Sequence, residues 1–248
     1  MAEEDNGKIV KLSTGVEGLD DLLYGGIPEK SQILIIGDIG SGKTLLSFEI
    51  AYKNAQNGTP TTYLTVEENK DALIRFVVST YSGLTDMRTM IDSNKIHVEE
   101  KKLQYAIKGP ENIQAIVADI IRTAAKNGSK LIVIDSFSLL RALYPDDRSF
   151  TRGINYVVES IRMQDVTSIT TFETAENSAP DKAPGLFEES MFDGIIRLTR
   201  LPSTDKVKYQ INVVKMRYSQ FKSALRTFEI TPSGIVVNPY HEATVTQG

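Results

Sequence analysis

Short apolar runs alternate with longer amphipathic segments over most of the chain. Gln32–Ile36, Thr61–Val66 and Lys130–Ile134 are rich in aliphatic, aromatic and β-branched residues, which predicts buried strands. Ser168–Phe172 is predicted as a fourth strand. Runs of this kind separated by helical segments are typical of βαβ units around a mostly parallel sheet. The pattern therefore predicts an α/β fold.

Helical periodicity fills the segments between the predicted strands. Lys43–Asn57 is predicted as a helix, a second helix runs from Lys70 to about Tyr81, and Glu111–Asn127 is predicted as a third. A glycine, common just after a helix C-terminus, directly follows the first and the third. Residues 82–110 receive no assignment.

The pattern of predicted elements changes after Phe192, where short β segments are joined by turns. These segments are Gly194–Thr199, Val207–Val214, Thr227–Ile230 and Ile235–Val237. They predict a β-rich C-terminal extension of the parallel core. No linker or repeat divides the chain, so we expect one domain over residues 10–238, with flexible polar tails at 1–9 and 239–248.

Composition excludes several classes of function. The 248 residues include 28 Lys or Arg and 32 Asp or Glu, a net charge of −4, and 41% are hydrophobic, which is ordinary for a globular domain. No cysteine is present, which excludes disulfides, thiol nucleophiles and cysteine-ligated metals, and only two histidines occur. No apolar run is long enough to span a membrane, and the acidic start lacks a signal-peptide core. We expect a soluble, cytoplasmic protein.

The segment GDIGSGKT, between the first predicted strand and the first predicted helix, matches the phosphate-loop pattern G-x-x-x-x-G-K-[ST]. Glycines let successive backbone N–H groups surround a phosphate, and the helix N-terminus adds positive potential. Lys43 is expected to reach the β- and γ-phosphates, and Thr44 to ligate Mg²⁺. The predicted nucleotide-binding residues are Gly37, Asp38, Ile39, Gly40, Ser41, Gly42, Lys43, Thr44 and Leu45.

Acidic residues at strand ends are the candidates for the metal site and the catalytic base. Asp135 ends an apolar strand and is predicted to hold Mg²⁺ through a water beside Thr44. Many ATPases of this type place the base directly after this aspartate, but Ser136 stands here. The base is therefore predicted to be Glu67, with Glu68 supporting it, because both directly follow the strand TTYLTV.

Two further groups carry weaker signals. The strand end SITTFE, Ser168–Glu173, could sense the γ-phosphate. Residues 197–226 contain eight Lys or Arg and one acid, and within them Lys215 and Arg217 are two apart on a strand-like segment, so their side chains project to the same side. Such a fork suits the charge on a transferring phosphoryl group. The alternatives are an edge strand protected by lysines and a nucleic-acid patch.

Taken in order, these motifs resemble the KaiC/RecA-like branch of P-loop ATPases, close to a single KaiC-type domain. The matching segments are KLSTGVEGLDDLLYGGIP, GDIGSGKT, TVEE, LIVIDSFSLL, TTFE, VVKMR and FEITPSGIVV. The resemblance implies a RecA-like core that binds ATP and Mg²⁺, assembled in rings, typically hexamers, with ATP between subunits. It implies that Lys215 and Arg217 reach the neighbouring subunit's ATP. Many members have glycine after K-M-R, whereas this chain has Tyr218, and we expect no second ATPase domain.

Three functions fit these features. The first is a Mg²⁺-dependent homo-oligomeric ATPase with a regulatory role and an unidentified protein partner. The second is a DNA recombination or repair accessory ATPase; nucleic acid is disfavoured because the candidate loop Thr174–Ser190 is acidic, and Tyr144–Arg152 is mixed in charge. The third is a nucleotide-gated scaffold without hydrolysis. Autophosphorylation stays open, since hydroxyl residues are plentiful.

Overall fold

The computed structural model describes residues 9–101, 113–174, 188–201 and 207–239. In these ranges the strands are β1 (Lys11–Leu12), β2 (Ile27–Pro28), β3 (Gln32–Gly37), β4 (Thr61–Thr65), β5 (Ile96–Glu100), β6 (Leu131–Asp135), β7 (Thr167–Glu173), β8 (Gly194–Leu201), β9 (Lys208–Met216), β10 (Arg226–Thr231) and β11 (Gly234–Val237). The helices are α1 (Leu19–Leu22), α2 (Lys43–Gln56), α3 (Lys70–Thr80), α4 (Met87–Asp92), α5 (Ile113–Lys126), α6 (Asp147–Arg162) and α7 (Glu188–Met191), with a 3-10 helix at Ser138–Leu143.

Nine of these strands form one sheet, in the order β11-β10-β9-β8-β3-β7-β6-β4-β5. The strands from β8 to β5 are parallel, and β9 to β11 extend the sheet as an antiparallel meander. β3 lies between β7 and β8, so its carboxyl end, where the phosphate loop begins, is in the interior of the sheet. Ligands bind at this edge in open α/β sheets.

Alternating side chains of the parallel strands feed two hydrophobic layers, one on each face of the sheet. Ile33 and Ile35 pack in one layer with residues of α2, α3 and α4, while Leu34 and Ile36 pack in the other with α5 and α6. Strands covered on both faces read as continuous apolar runs, as QILII does. This two-sided burial holds β3 and α2 firmly around the loop that joins them.

The predicted elements are confirmed to within a few residues, and the α/β, RecA-like class is confirmed by the mostly parallel sheet flanked by helices. Residues 82–110, which had no assignment, contain α4 and the edge strand β5. β9 lies between β8 and β10, so the interpretation of its lysines as protection of an edge strand is wrong. None of the helices in the described ranges combines the length and the apolar character needed to cross a bilayer.

Candidate active site

The phosphate loop joins the end of β3 to the start of α2. Gly40 and Gly42 have φ angles of 70° and 96°, a region that glycine enters without strain. Gly37 is constrained by space instead: a Cβ there would collide with the carbonyl oxygen of Leu198 and lie 2.6 Å from Ser41 Oγ. The glycines of the motif are therefore required by this backbone path.

Lys43, the first residue of α2, folds over the loop. Its Nζ donates to the carbonyl oxygens of Gly37 (2.9 Å) and Asp38 (2.8 Å). Burial lowers the pKa of Lys43, and negative charges oppose this shift. The charges come from Glu173, Asp135, Asp38 and Glu67. The acids predicted from separate strand ends thus surround the lysine predicted to contact phosphate.

Asp135 is buried at the end of β6 and is oriented by two hydroxyl groups. Tyr63 donates to its Oδ2 at 2.7 Å, and Thr171 donates to its Oδ1. Burial, followed by the negative charge of Asp135, raises the pKa of Tyr63, so the phenol stays a donor. The two donors fix the carboxylate in the space beside the phosphate loop.

A chain of hydroxyl groups fixes the first predicted acid. Ser136 Oγ donates to Glu67 Oε1 and lies 3.0 Å from Ser138 Oγ. Ser138 Oγ in turn accepts from the backbone N–H of Glu173 at 2.9 Å. Sequence analysis missed these serines, although Ser136 directly follows Asp135. The only sequence signal was that a small hydroxyl residue replaced the expected glutamate.

Glu68 has a different environment from Glu67, although both side chains are exposed. Its backbone carbonyl accepts from Thr65 Oγ1 at 2.8 Å, which closes the turn after β4. Burial raises the pKa of Glu68, and the charges of Asp135 and Glu67 add to the shift. The pair therefore lies just beyond the end of β4, with Glu67 held by Ser136.

Two sets of basic C-terminal residues lie at opposite ends of the strands β8 and β9. Arg200 Nη1 lies 3.6 Å from the position of a Cβ on Gly40, so this guanidinium is beside the phosphate loop. Lys215 and Arg217 lie at the other end, where Met216 pairs with Gly194. Sequence analysis treated the basic residues as one edge and did not single out Arg200.

Lys215 and Arg217 point to the same side, as their spacing predicts. Lys215 Nζ donates to the carbonyl oxygens of Ser190 (3.3 Å) and Phe192 (2.7 Å), and Arg217 donates to Ser190 at 3.2 Å. Met216 between them is buried. Tyr218 has a φ of 63°, so it adopts the left-handed conformation that favours glycine. The turn after K-M-R thus keeps a glycine-like backbone.

The acidic candidate DNA-binding loop, Thr174–Ser190, lies almost wholly outside the described residues, which resume at 188. The other candidate, Tyr144–Arg152, is partly helical because α6 begins within it. Asp146 caps this helix by accepting from Ser149 N at 2.9 Å.

Comparison with known proteins identifies the family. The family model described as "ATPase: KaiC" matches residues 12–242, nearly the whole chain. This chain belongs to the KaiC ATPase family. The resemblance to a KaiC-type ATPase domain is therefore confirmed.

Individual relatives are similar at modest identity. The circadian clock oscillator protein KaiC 1 of Synechocystis sp. is 26% identical over 243 residues, which is 96% of this chain but 46% of that protein. A UPF0273 protein of Aeropyrum pernix is 27% identical and is matched over 94% of its own length. The crystal structure of the KaiC-like protein PH0186 from Pyrococcus horikoshii OT3 superposes with a TM-score of 0.78 at 26% identity, over 94% of this chain and 100% of that one. The chain thus spans about half of the clock protein and nearly all of the shorter relative.

The residues at the loop fit ATP with Mg²⁺. The described residues contain no cluster of three His, Asp or Glu side chains that could hold a metal alone. A magnesium ion at a phosphate loop does not need one, because it takes most of its ligands from phosphates and water. Thr44 at the start of α2 and the buried carboxylate of Asp135 carry oxygens of the kind that such a site uses.

Proposed function

We propose that this protein is a Mg²⁺-dependent ATPase that works as a homo-oligomer, expected to be a hexamer, with each nucleotide bound between two subunits. Residues 10–238 form the ATPase domain, and the output is regulatory: ATP turnover changes the assembly that an unidentified protein partner binds. The observation that carries the proposal is the separation of Lys215 and Arg217 from their own phosphate loop.

Within one subunit, different residues have different roles in hydrolysis. The backbone of Gly37–Thr44 binds the phosphates, and Lys43 exchanges its two carbonyl partners for phosphate oxygens. Glu67, held by Ser136, orients the attacking water and accepts its proton. Thr44 and, through a water, Asp135 would hold Mg²⁺, which would neutralise charge on the phosphates.

The trans role of Lys215 and Arg217 is supported by sheet register. Gly37 pairs with Leu198, whereas Met216 pairs with Gly194, four residues earlier on β8. At about 3.3 Å per residue, this places Met216 roughly 13 Å below the phosphate loop. Both basic side chains are held there by the carbonyl oxygen of Ser190, in the segment that precedes β8. Their own triphosphate is therefore out of reach, and a head-to-tail neighbour is the natural target.

Light scattering tests this proposal. The wild-type mass should rise with ATP and Mg²⁺ to that of a ring of about six chains, as expected for a closed head-to-tail assembly. The variant Lys215→Ala/Arg217→Ala should bind ATP but hydrolyse it at least about tenfold more slowly. Lys208→Ala is the matched control, because Lys208 is an exposed lysine at the opposite end of β9. A wild-type monomer under every condition would contradict the proposal.

A further inference from the structure

Asp193 is a buried carboxylate directly before β8, and the catalytic scheme above does not use it. Its side chain is only 1% exposed. Oδ2 accepts from Arg162 Nη1 at 2.6 Å and from the backbone N–H of Gln32 at 2.9 Å. A fully buried carboxylate is costly unless its charge is paired, so this position is built around the negative charge.

The second oxygen of Asp193 faces Arg217. Oδ1 is buried and accepts no hydrogen bond from the described residues, while Arg217 Nη1 lies 3.6 Å from it. The guanidinium of Arg217 is also held by Ser190, and 47% of the side chain is exposed. The guanidinium of Arg217 is therefore held on one side by a fixed charge and is open to solvent on the other, along a cleft of about 500 Å³ that Tyr218 also lines.

The backbone around Asp193 holds the same segment. The carbonyl oxygen of Asp193 accepts from Arg217 N at 2.7 Å, and the carbonyl oxygen of the preceding Phe192 accepts from Lys215 Nζ at 2.7 Å. Arg162 from α6 donates to Met191 at 2.9 Å. One short segment thus positions both basic side chains proposed to act on the neighbour.

Asp193 also connects to the strand that leads into this subunit's own phosphate loop. Its N–H donates to Gln32 O at 2.8 Å, and its carboxylate accepts from Gln32 N. Gln32 is the first residue of β3, and Gly37 is the last. The base of the basic pair is therefore fixed to a rigid strand of the sheet rather than to a loop.

We infer that Asp193 is the positioning residue of Arg217: its buried charge, shared with Arg162, holds Arg217 in the orientation needed for a neighbouring subunit's triphosphate. The inference rests on the proposed trans role. It adds a specific consequence: loss of the Asp193 charge damages the site of the neighbour and leaves the subunit's own phosphate loop intact.

Mixed assemblies test this consequence. Asp193→Asn should lower turnover by about tenfold or more with ATP affinity unchanged, the pattern of a lost transition-state interaction. Mixed with Glu67→Gln, which keeps its basic pair, it should regain activity. Mixed with Arg217→Ala it should stay inactive, because both proteins then lack a working Arg217. Asp165→Asn, an exposed ion-paired aspartate at the same end of the sheet, is the matched control and should behave as wild type.

Two other outcomes of these mixtures would contradict the inference. If Asp193→Asn regains activity with Arg217→Ala but not with Glu67→Gln, Asp193 serves its own phosphate loop and the inference is wrong. Turnover equal to wild type contradicts it as well. The mixture of Glu67→Gln with Arg217→Ala tests the proposed trans site itself, without a change at Asp193. If this mixture does not regain activity, the proposed function is wrong; if it does, a negative result with Asp193→Asn counts against the role of Asp193 alone. Should circular dichroism show that Asp193→Asn is unfolded, Asp193→Glu, which keeps the charge but displaces it, replaces it in the same mixtures.

Discussion

Ser136 Oγ donates a hydrogen bond to Oε1 of Glu67, which joins the residue after β6 to the residue two positions beyond β4. The serine stands where many P-loop ATPases carry the base, and in the proposed mechanism it orients a base that follows another strand. The charges of Asp135 and Glu67 both act on Lys43.

Ser136→Ala should reduce turnover about tenfold without weakening ATP binding, because Glu67 remains but loses the hydroxyl group that orients its carboxylate. Steady-state hydrolysis and a fluorescent-nucleotide titration measure the two quantities. Ser79→Ala is the control, since Ser79 is an exposed residue whose hydroxyl bonds only within α3. Equal turnover in Ser136→Ala and wild type would contradict the role of the serine.

Substitution of Glu67 and of Glu68 should affect turnover to different extents. Glu67→Gln removes the proposed base and should lower turnover by about 10²–10⁴-fold while retaining ATP. Glu68→Gln should have a smaller effect, because Glu68 has no comparable side-chain partner among the described residues. Phosphate release under saturating ATP provides the measurement. A greater loss in Glu68→Gln would exchange the two roles.

Asp135→Asn should weaken the response to magnesium. The amide keeps an acceptor for Tyr63 or Thr171 but lacks the negative charge that favours a hydrated divalent cation. We expect a higher Mg²⁺ concentration for half-maximal turnover, and chelation with EDTA should bring wild-type turnover to background. An unchanged magnesium dependence in Asp135→Asn would exclude Asp135 from the metal site.

Glu49 should make stability depend on pH. It is buried on α2 and accepts from Ile235 N at 2.7 Å, and burial raises its pKa from 4.5 to about 7, with Tyr81 and Lys53 acting in the opposite direction. The folded state therefore binds this proton more tightly than the unfolded state. The resulting stabilisation is complete below pH 4.5 and is lost as the pH rises to about 7.

Urea unfolding from pH 5 to 8 measures this effect. Relative to Glu49→Gln, the wild type should lose stability as the pH rises, by up to about 3 kcal/mol. Glu29→Gln, at an exposed position, is the control and should follow the wild-type profile. Parallel profiles for wild type and Glu49→Gln would show that the carboxyl does not titrate in this range.

Local signals account for the parts of the site that sequence could predict. The phosphate loop lies within eight consecutive residues, and Asp135 and Glu67 each follow a strand whose apolar pattern is plain. The carboxyl ends of parallel strands share one edge of the sheet, so these residues had to meet there. The family resemblance rests on the same segments.

Other parts depend on pairing between distant segments, which no local pattern encodes. Asp193 accepts from Gln32, 161 residues earlier, and the alternation of apolar residues does not say which strand lies beside β3. The division of the basic residues into two ends also depends on the register of β9 against β8. Short elements such as α4 and β5 went unassigned because a helix of six residues has little periodicity.

A subunit-mixing assay tests the shared nucleotide site most directly. Glu67→Gln supplies Lys215 and Arg217 but no base, and Lys215→Ala/Arg217→Ala supplies an intact phosphate loop and base. In an equal mixture, roughly a quarter of the head-to-tail interfaces combine the two intact halves. The account predicts that two nearly inactive proteins regain about a quarter of wild-type turnover on mixing. Turnover that stays at the average of the two variants, with mixed assemblies verified by mass, would contradict it.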